Sequence, residues 1–323
     1  MSDEIIKEEE KVEAPAPAPA PVENATLDKP YDQIIEDARL DFHKSFKNSR
    51  LVSNIIMFVV VAAICGVMFL VLSNSQPLKI TGYVLAGVLL VGMIVYYMAT
   101  RKRLPDKTKA YLSLLTKTLN KEMFGNKNFS EIETNPDERL KMDDLVGDGV
   151  YSGASEVRSR NVVKGVYKKH HFLYAEVALV RPSSRKEQVP PLFVGKYISM
   201  PNNLKFDGRF IFVYKNPKEP LDLPTSVEDL TVLEEKEDFV VYGPAEANYH
   251  KVISAKALSY FNKLEVSDHL LNVNVVFWGG HTAVYLSYDD ALMSVPVDNP
   301  VDKKAYDQSF NDLMNCFDGI TVK

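Results

Sequence analysis

Two charge-free apolar runs dominate the hydrophobic pattern of the chain. Residues 51–72 read "LVSNIIMFVVVAAICGVMFLVL" and residues 80–100 read "ITGYVLAGVLLVGMIVYYMAT". The polar stretch "SNSQPLK" at 73–79 separates them. Helices of 22 and 21 residues extend about 30 Å, the thickness of a bilayer's hydrocarbon core. Buried helices of water-soluble proteins rarely run so far without a charge. The pattern therefore predicts a transmembrane helical hairpin over 50–103, with 73–79 as its outer turn. Ala62 and Gly66 on one span, and Gly82 and Ala86 on the other, form small-xxx-small pairs that would let two backbones approach in lipid. The competing explanation is the ordinary abundance of Gly and Ala in membrane helices.

Amphipathic segments flank the hairpin. In "YDQIIEDARLDFHKSFKNS", Tyr31, Ile35, Ala38, Phe42 and Phe46 recur at intervals of three and four, which marks one helical face over 27–49. Leu112, Leu115, Leu119 and Met123 do the same over 104–125, where Pro105 suits a first helical turn. These helices either pair as a stalk or lie flat on the membrane surface. Mixed charge on their polar faces favours the stalk.

Beyond this point the pattern changes. Residues 125–141 are polar and suggest a linker or a loosely packed lead-in. From about Met142 the apolar period becomes two. "VRSRNVVKGVY", "GVYKKHHFLYAEVALV", "PLFVGKYISM", "GRFIFVYK" and "EDFVVYG" predict strands bounded by Gly, Pro and Asn. Ser254 should cap a short helix, "AKALSYFNKLE". A closing helix carries Tyr306, Phe310, Leu313 and Phe317 on one face. The expected fold class is α+β: the hairpin with its flanking helices, then a sheet-dominated cytoplasmic domain over 126–323.

Charge adds orientation. The 323 residues carry 38 basic and 43 acidic side chains, net −5. Residues 1–30 hold eight acids and three bases, so the remainder is formally neutral and no nucleic-acid footprint is expected. The "APAPAPAP" stretch makes residues 1–26 a disordered, spacer-like tail. Lys44, Lys47 and Arg50 precede the first span, and Arg101, Lys102, Arg103, Lys107 and Lys109 follow the second. The connection holds only Lys79. The positive-inside rule puts both termini in the cytoplasm. The two cysteines, Cys65 and Cys316, are poorly placed to pair, which excludes a secreted disulfide framework.

Candidate chemistry is sparse. "GDGVYSG", with Gly147, Gly149 and Gly153, lacks the spacing and following helix of a dinucleotide loop. No Walker or Gly-x-Ser-x-Gly motif occurs. Adjacent His170 and His171 point to opposite faces of a strand, so they cannot chelate together. His250, His269 and His281 are isolated, and no metal or cofactor is expected. The hairpin "NVNVVFWGGHTAVYLSY" is more informative. A turn at Gly279-Gly280 sets Trp278 opposite His281, Val276 opposite Ala283 and Asn274 opposite Tyr285. The face of Val273, Val275, Phe277, Thr282, Val284 and Leu286 is the core side. Asn274, Trp278, His281 and Tyr285 have the composition of a recognition surface, unless the C-terminal helix covers them.

"FVVYGPAEANYHKVISAKALSYFNKLE", "VNVVFWGGHTAVYLSYDDALM", the final aromatic helix and "LFVGKYISMPNNLKFDGRFIF" occur in the order seen in a bacterial membrane-protein family, domain of unknown function 3137. The chain resembles that family over most of residues 30–323. The resemblance implies two N-terminal spans, a cytoplasmic domain and location in a bacterial inner membrane. It supplies no activity and no catalytic residues, and it suggests a LemA-like membrane protein as a partner. The expected function is a membrane-anchored binding or scaffold module and not an enzyme. The alternative is a membrane-tethered enzyme whose site gathers His170 or His171 with an acid such as Glu176.

Overall fold

A computed structural model describes residues 29–72, 75–135, 138–146, 150–151, 153–181, 190–202, 208–214, 230–237, 239–251, 253–264, 269–289, 297 and 299–321. The tail at 1–26, Gly147 and Gly149 lie outside them. The two apolar runs and their amphipathic flanks fuse into two long helices: α1 (Tyr31–Leu72, 42 residues) and α2 (Gln76–Phe124, 49 residues). No glycine or proline interrupts residues 31–65 of α1, so nothing stops the helix at the expected boundary near 50. Pro105 is interior to α2, not at a helix start. Its missing N–H and ring clash cost a helix about 3 kcal/mol. Packed contacts on both sides hold the two halves: a side chain at Gly82 would collide with Val71 and Leu70, and Tyr111 stacks on Phe42 at 5.0 Å. The outer turn is shorter than its polar stretch. Gln76–Lys79 already belong to α2, whose N-terminal Pro77 follows an extended Ser75.

Nine strands follow: β1 (Phe129–Asn135), β2 (Glu156–Tyr167), β3 (His170–Val180), β4 (Phe193–Pro201), β5 (Arg209–Tyr214), β6 (Thr231–Glu235), β7 (Phe239–Gly243), β8 (Leu270–Trp278) and β9 (His281–Tyr288). They form one antiparallel sheet in the order β1-β2-β3-β4-β9-β8-β5-β7-β6. The described helices after the sheet's first strand are α3 (Asp143–Val146), a 3-10 turn at Tyr249–Lys251, α4 (Ala255–Phe261) and α5 (Lys303–Thr321). Ser254 caps α4 by accepting a hydrogen bond from the Ala257 N–H at 3.1 Å. The protein is thus a mixed α+β fold around a large antiparallel sheet.

Both faces of the sheet are covered, so period-two patterning is apolar on both sides. On β3, Phe172 and Tyr174 join one core layer while Ala175, Val177 and Leu179 join the other. The first layer is closed by α4, by α5, and by the lower ends of α1 and α2, which contribute Tyr31, Ile35, Leu115, Met123 and Phe124. The second is closed by Leu140, Leu145, Val150 and Tyr151 from the connection between β1 and β2. The expected linker at 125–141 therefore holds an edge strand and part of a covering strap. The domain boundary near 126 cuts through the first core layer.

Local backbone details set the register. Lys168 and Lys169 both adopt left-handed φ angles, 45° and 75°, so "GVYKKHHFLYAEVALV" is two strands joined by a tight turn and not one. Gly195 on β4 has no room for a side chain, since a Cβ would sit 2.0 Å from the Leu286 carbonyl oxygen on β9. The outer strands β1 and β6 each carry a register shift and acidic side chains, features that discourage pairing with another chain.

Candidate functional site

The β8–β9 hairpin has the register that its sequence predicts: Trp278 pairs with His281, Val276 with Ala283 and Asn274 with Tyr285. Gly280 adopts φ +92°, a conformation suited to glycine. Val273, Val275, Phe277, Val284 and Leu286 face the first layer, beneath α4 and α5. The opposite face is covered as well, but by the strap and not by the C-terminal helix. Asn274 donates to the Tyr151 hydroxyl at 2.9 Å. The Tyr151 ring meets Tyr285 at 5.2 Å and Phe193 at 5.3 Å. Asn274 and Tyr285 are buried, so Trp278 and His281 are the members of the set that reach the surface. Trp278 is half-buried, His281 is exposed, and their rings stack at 5.5 Å. Asn202 braces this tip. Its amide donates to Thr282 Oγ1 at 2.8 Å, and its N–H donates to the Gly280 carbonyl at 2.8 Å.

His170 and His171 flank the β2–β3 turn, paired with Tyr167 and Val166. Glu176 lies six residues along β3, about 20 Å away at strand rise. It accepts from Arg160 Nε at 2.5 Å and from Asn161 Nδ2 at 3.4 Å. The structure does not gather the histidines with Glu176 or a nucleophile. The His250 ring lies tilted against Tyr249 at 4.0 Å, and His269 Nδ1 lies 2.9 Å from Asp289 Oδ2. Among the described residues, no cluster of three metal-ligating side chains occurs. Of the four small hairpin residues, Gly82 is buried at the α1–α2 contact. Ala62, Gly66 and Ala86 are exposed, and nothing lies within 4 Å of a Cβ built on Gly66.

A polar centre that the sequence reading missed lies inside the first layer. Lys196 sits mid-strand on β4, on the same face as Ile198 and Met200, and is 5% exposed. Its ammonium donates to Ser309 Oγ on α5 and lies 4.9 Å from the centre of the Tyr288 ring. Tyr288 donates to Asp312 Oδ2 at 3.2 Å, and Glu176 is the cross-strand neighbour of Lys196. Burial lowers the Lys196 pKa to about 8, against the opposing pull of Glu176 and Asp312. Burial also pushes the Tyr288 phenol well up, aided by Asp312. A partly neutral amine beside a hydroxyl has general-base chemistry. Here Ser309 and Asp312 are as buried as the lysine, so α5 seals the centre. Its evident action is to tie β4 and β9 to α5. The signal was a lone cation in an apolar strand, matched by Ser309, Asp312 and Cys316 in phase on the core side of a helix.

This centre connects to the long helices. Asn161, at φ 52° in the β2 bulge, exchanges two amide hydrogen bonds with Asn120 of α2, at 2.7 and 3.0 Å. On α1, Tyr31 donates to Asp307 at 2.5 Å. Arg39, buried, binds both oxygens of Glu36 and donates to the Val297 carbonyl at 3.0 Å. Glu36 in turn accepts from the Val301 N–H at 3.2 Å, and Arg39 holds its pKa below the usual carboxylate value.

These features define a class: an α+β sheet protein whose core incorporates the base of a long, outwardly apolar helix pair. Among the described residues, one segment, Asn54–Leu72, is long and apolar enough to cross a membrane. No family model and no curated protein matches the chain. Among solved structures, the crystal structure of the mycobacterial trehalose monomycolate transport factor A, TtfA, is similar at TM-score 0.35 and 13% identity, over 64% of this chain and 94% of that one. A likeness at that level assigns neither fold nor function.

Proposed function

We propose that the protein is a membrane-anchored module that presents a binding or scaffold domain at the inner face of a bacterial cytoplasmic membrane. The observation that carries this reading is continuity. Each of α1 and α2 runs unbroken from an exposed apolar stretch into the core of the sheet domain. Phe58, Phe69, Ile80, Tyr83 and Val88 are all more than 60% exposed, an area of apolar surface that water disfavours and lipid accommodates. Both helices cross the bilayer in this reading, and the termini and sheet domain are cytoplasmic. The base of the helix pair then fixes the domain's height and orientation. The Trp278–His281 tip, braced by Asn202, is the contact for a protein partner, and the family resemblance makes a LemA-like membrane protein the first to test.

Two measurements test this. Single cysteines at Ser75 and at Lys117, in a chain with Cys65 and Cys316 replaced by serine, should label oppositely with a membrane-impermeant maleimide in intact cells. Ser75 should react and Lys117 should not. Capture of partners from gentle detergent extracts should require the sheet domain and weaken in His281→Ala. Labelling of both sites from outside would reject the topology, and capture indifferent to the domain would reject the scaffold role.

A further inference from the structure

The stretch between the apolar belt and the first buried layer of the domain is strongly basic. Between Phe42 and residue 51 lie Lys44, Lys47 and Arg50, with no acid. Between residue 100 and Tyr111 lie Arg101, Lys102, Arg103, Lys107 and Lys109, with Asp106 the one acid. Eight cations and one acid give +7 on a chain whose total is −5. Charge is therefore segregated to this level of the molecule.

The structure brings the two stretches together. Lys107 Nζ donates to Ser45 Oγ at 3.2 Å, which sets α1 and α2 side by side at this height. The Phe42–Tyr111 stack closes the domain just below. Lys44, Lys47, Lys107 and Lys109 are exposed. On α1, six residues separate Lys44 from the charge-free run, about 10 Å of helix from one to the other. That is slightly more than one Debye length, about 8 Å, at physiological ionic strength, so Lys44 feels the membrane surface at about a third of its full strength, whereas Lys47, one turn nearer, lies within that length.

We propose that this collar is a binding surface for anionic phospholipid headgroups. The proposal rests on the anchoring reading above and adds the lipid class. An apolar belt followed within about 6 to 14 Å of helix by exposed lysines matches a leaflet whose acyl chains are followed by phosphate. A lysine at such a surface favours anionic over neutral lipid by up to about fivefold, and the effect falls off within a Debye length. Long lysine side chains reach the phosphates while their stems lie along the helix.

The test uses the full chain in vesicles of phosphatidylcholine with a minority of phosphatidylglycerol. Resistance to alkaline carbonate extraction reports anchoring by itself. Lipid retained on the re-extracted protein is then identified by mass spectrometry. The native chain should retain phosphatidylglycerol in several-fold excess over its bulk share. The combined variant Lys44→Gln, Lys47→Gln, Lys107→Gln and Lys109→Gln should stay anchored and retain phosphatidylglycerol at close to its bulk share. The corresponding four-arginine variant should keep it. Anchoring without an excess, or an equal excess in the glutamine variant, overturns the lipid proposal and leaves anchoring intact. Extraction of the native chain by carbonate overturns both.

Discussion

Lys196 shows how one side chain can couple folding to pH. Its pKa in the folded protein is lowered to about 8 from an ordinary 10.5. Between those values the unfolded chain binds more protons than the folded one, so stability must rise with pH across the window, by about 3 kcal/mol in total. The buried tyrosines act in the opposite sense. Tyr174 and Tyr288 have raised pKa values, so the unfolded state sheds phenolic protons first, and stability falls above about pH 10. Urea unfolding of the detergent-solubilised protein, followed by fluorescence of its one tryptophan, Trp278, should show a midpoint that climbs from about pH 7 to about pH 10. In Lys196→Met the climb should disappear. The variant should be no less stable than the native protein near pH 7, because an apolar side chain of similar volume escapes the desolvation penalty of a buried cation. An undiminished climb in the variant would reject Lys196 as its source. At the surface, His281→Ala should change stability by no more than about 0.5 kcal/mol, since the ring is exposed. A thermal-shift measurement checks that its effect on partner capture comes from lost contact and not from unfolding.

At the scale of elements, patterns that obey a single period were legible in the sequence, and patterns that break it were not. The β8–β9 register followed from strict alternation around Gly279-Gly280. The core faces of α5 and of the base of α1 followed from spacings of three and four, whereas on α2 the stripe held Leu115, Leu119 and Met123 but not the buried Tyr111 and Phe124. β1 was missed because Glu131, at φ 54°, sits in a bulge that throws Phe129 and Ile132 out of phase. The β2–β3 turn was missed because Lys168-Lys169 has none of the residues that favour left-handed backbone. Tertiary contacts supply what the dipeptide lacks: Lys168 pairs with Asp318 on α5, and its N–H donates to the Asn128 carbonyl at 3.0 Å. The strap over Asn274 and Tyr285 was invisible because nothing in a polar connection says which face it will cross. The Asn120–Asn161 exchange joins two such elements, α2 and the β2 bulge. Asn120→Ala leaves a partly buried amide without its partner and should cost about 1–3 kcal/mol. A double-mutant cycle with Asn161→Ala should return a coupling of at least about 0.5 kcal/mol. Strict additivity would mean that the bulge holds its shape without the helix.

For the whole molecule, the decisive relation is that the two long helices and the sheet share one core. Tyr31 and Ile35 from α1 and Leu115, Met123 and Phe124 from α2 lie in the same layer as Tyr167, Phe172 and Phe317. Phe124 meets Phe129, Phe172 and Tyr174 at 5.2 to 5.7 Å. A chain lacking residues 1–125 therefore bares this layer, and an apolar face of that extent drives association. Such a chain should aggregate on expression. A second variant separates loss of the helix bases from loss of the exposed apolar stretches. The Lys107 side chain reaches Ser45 at 3.2 Å, so the two helices run side by side at this level and a short glycine-serine loop can replace residues 51–100 without moving either base. That chain keeps Tyr31, Ile35, Phe42, Tyr111 and Phe124 in place and removes the exposed apolar belt. It should be soluble without detergent, monodisperse in size-exclusion chromatography, and should unfold cooperatively. If the chain lacking 1–125 is itself soluble and cooperative, the helix bases are dispensable cover. If neither variant folds, the sheet depends on the apolar segment itself. The shared core predicts that only the loop-replaced chain succeeds, because what the sheet needs is the start of α1 and the end of α2 and not the apolar stretch between them.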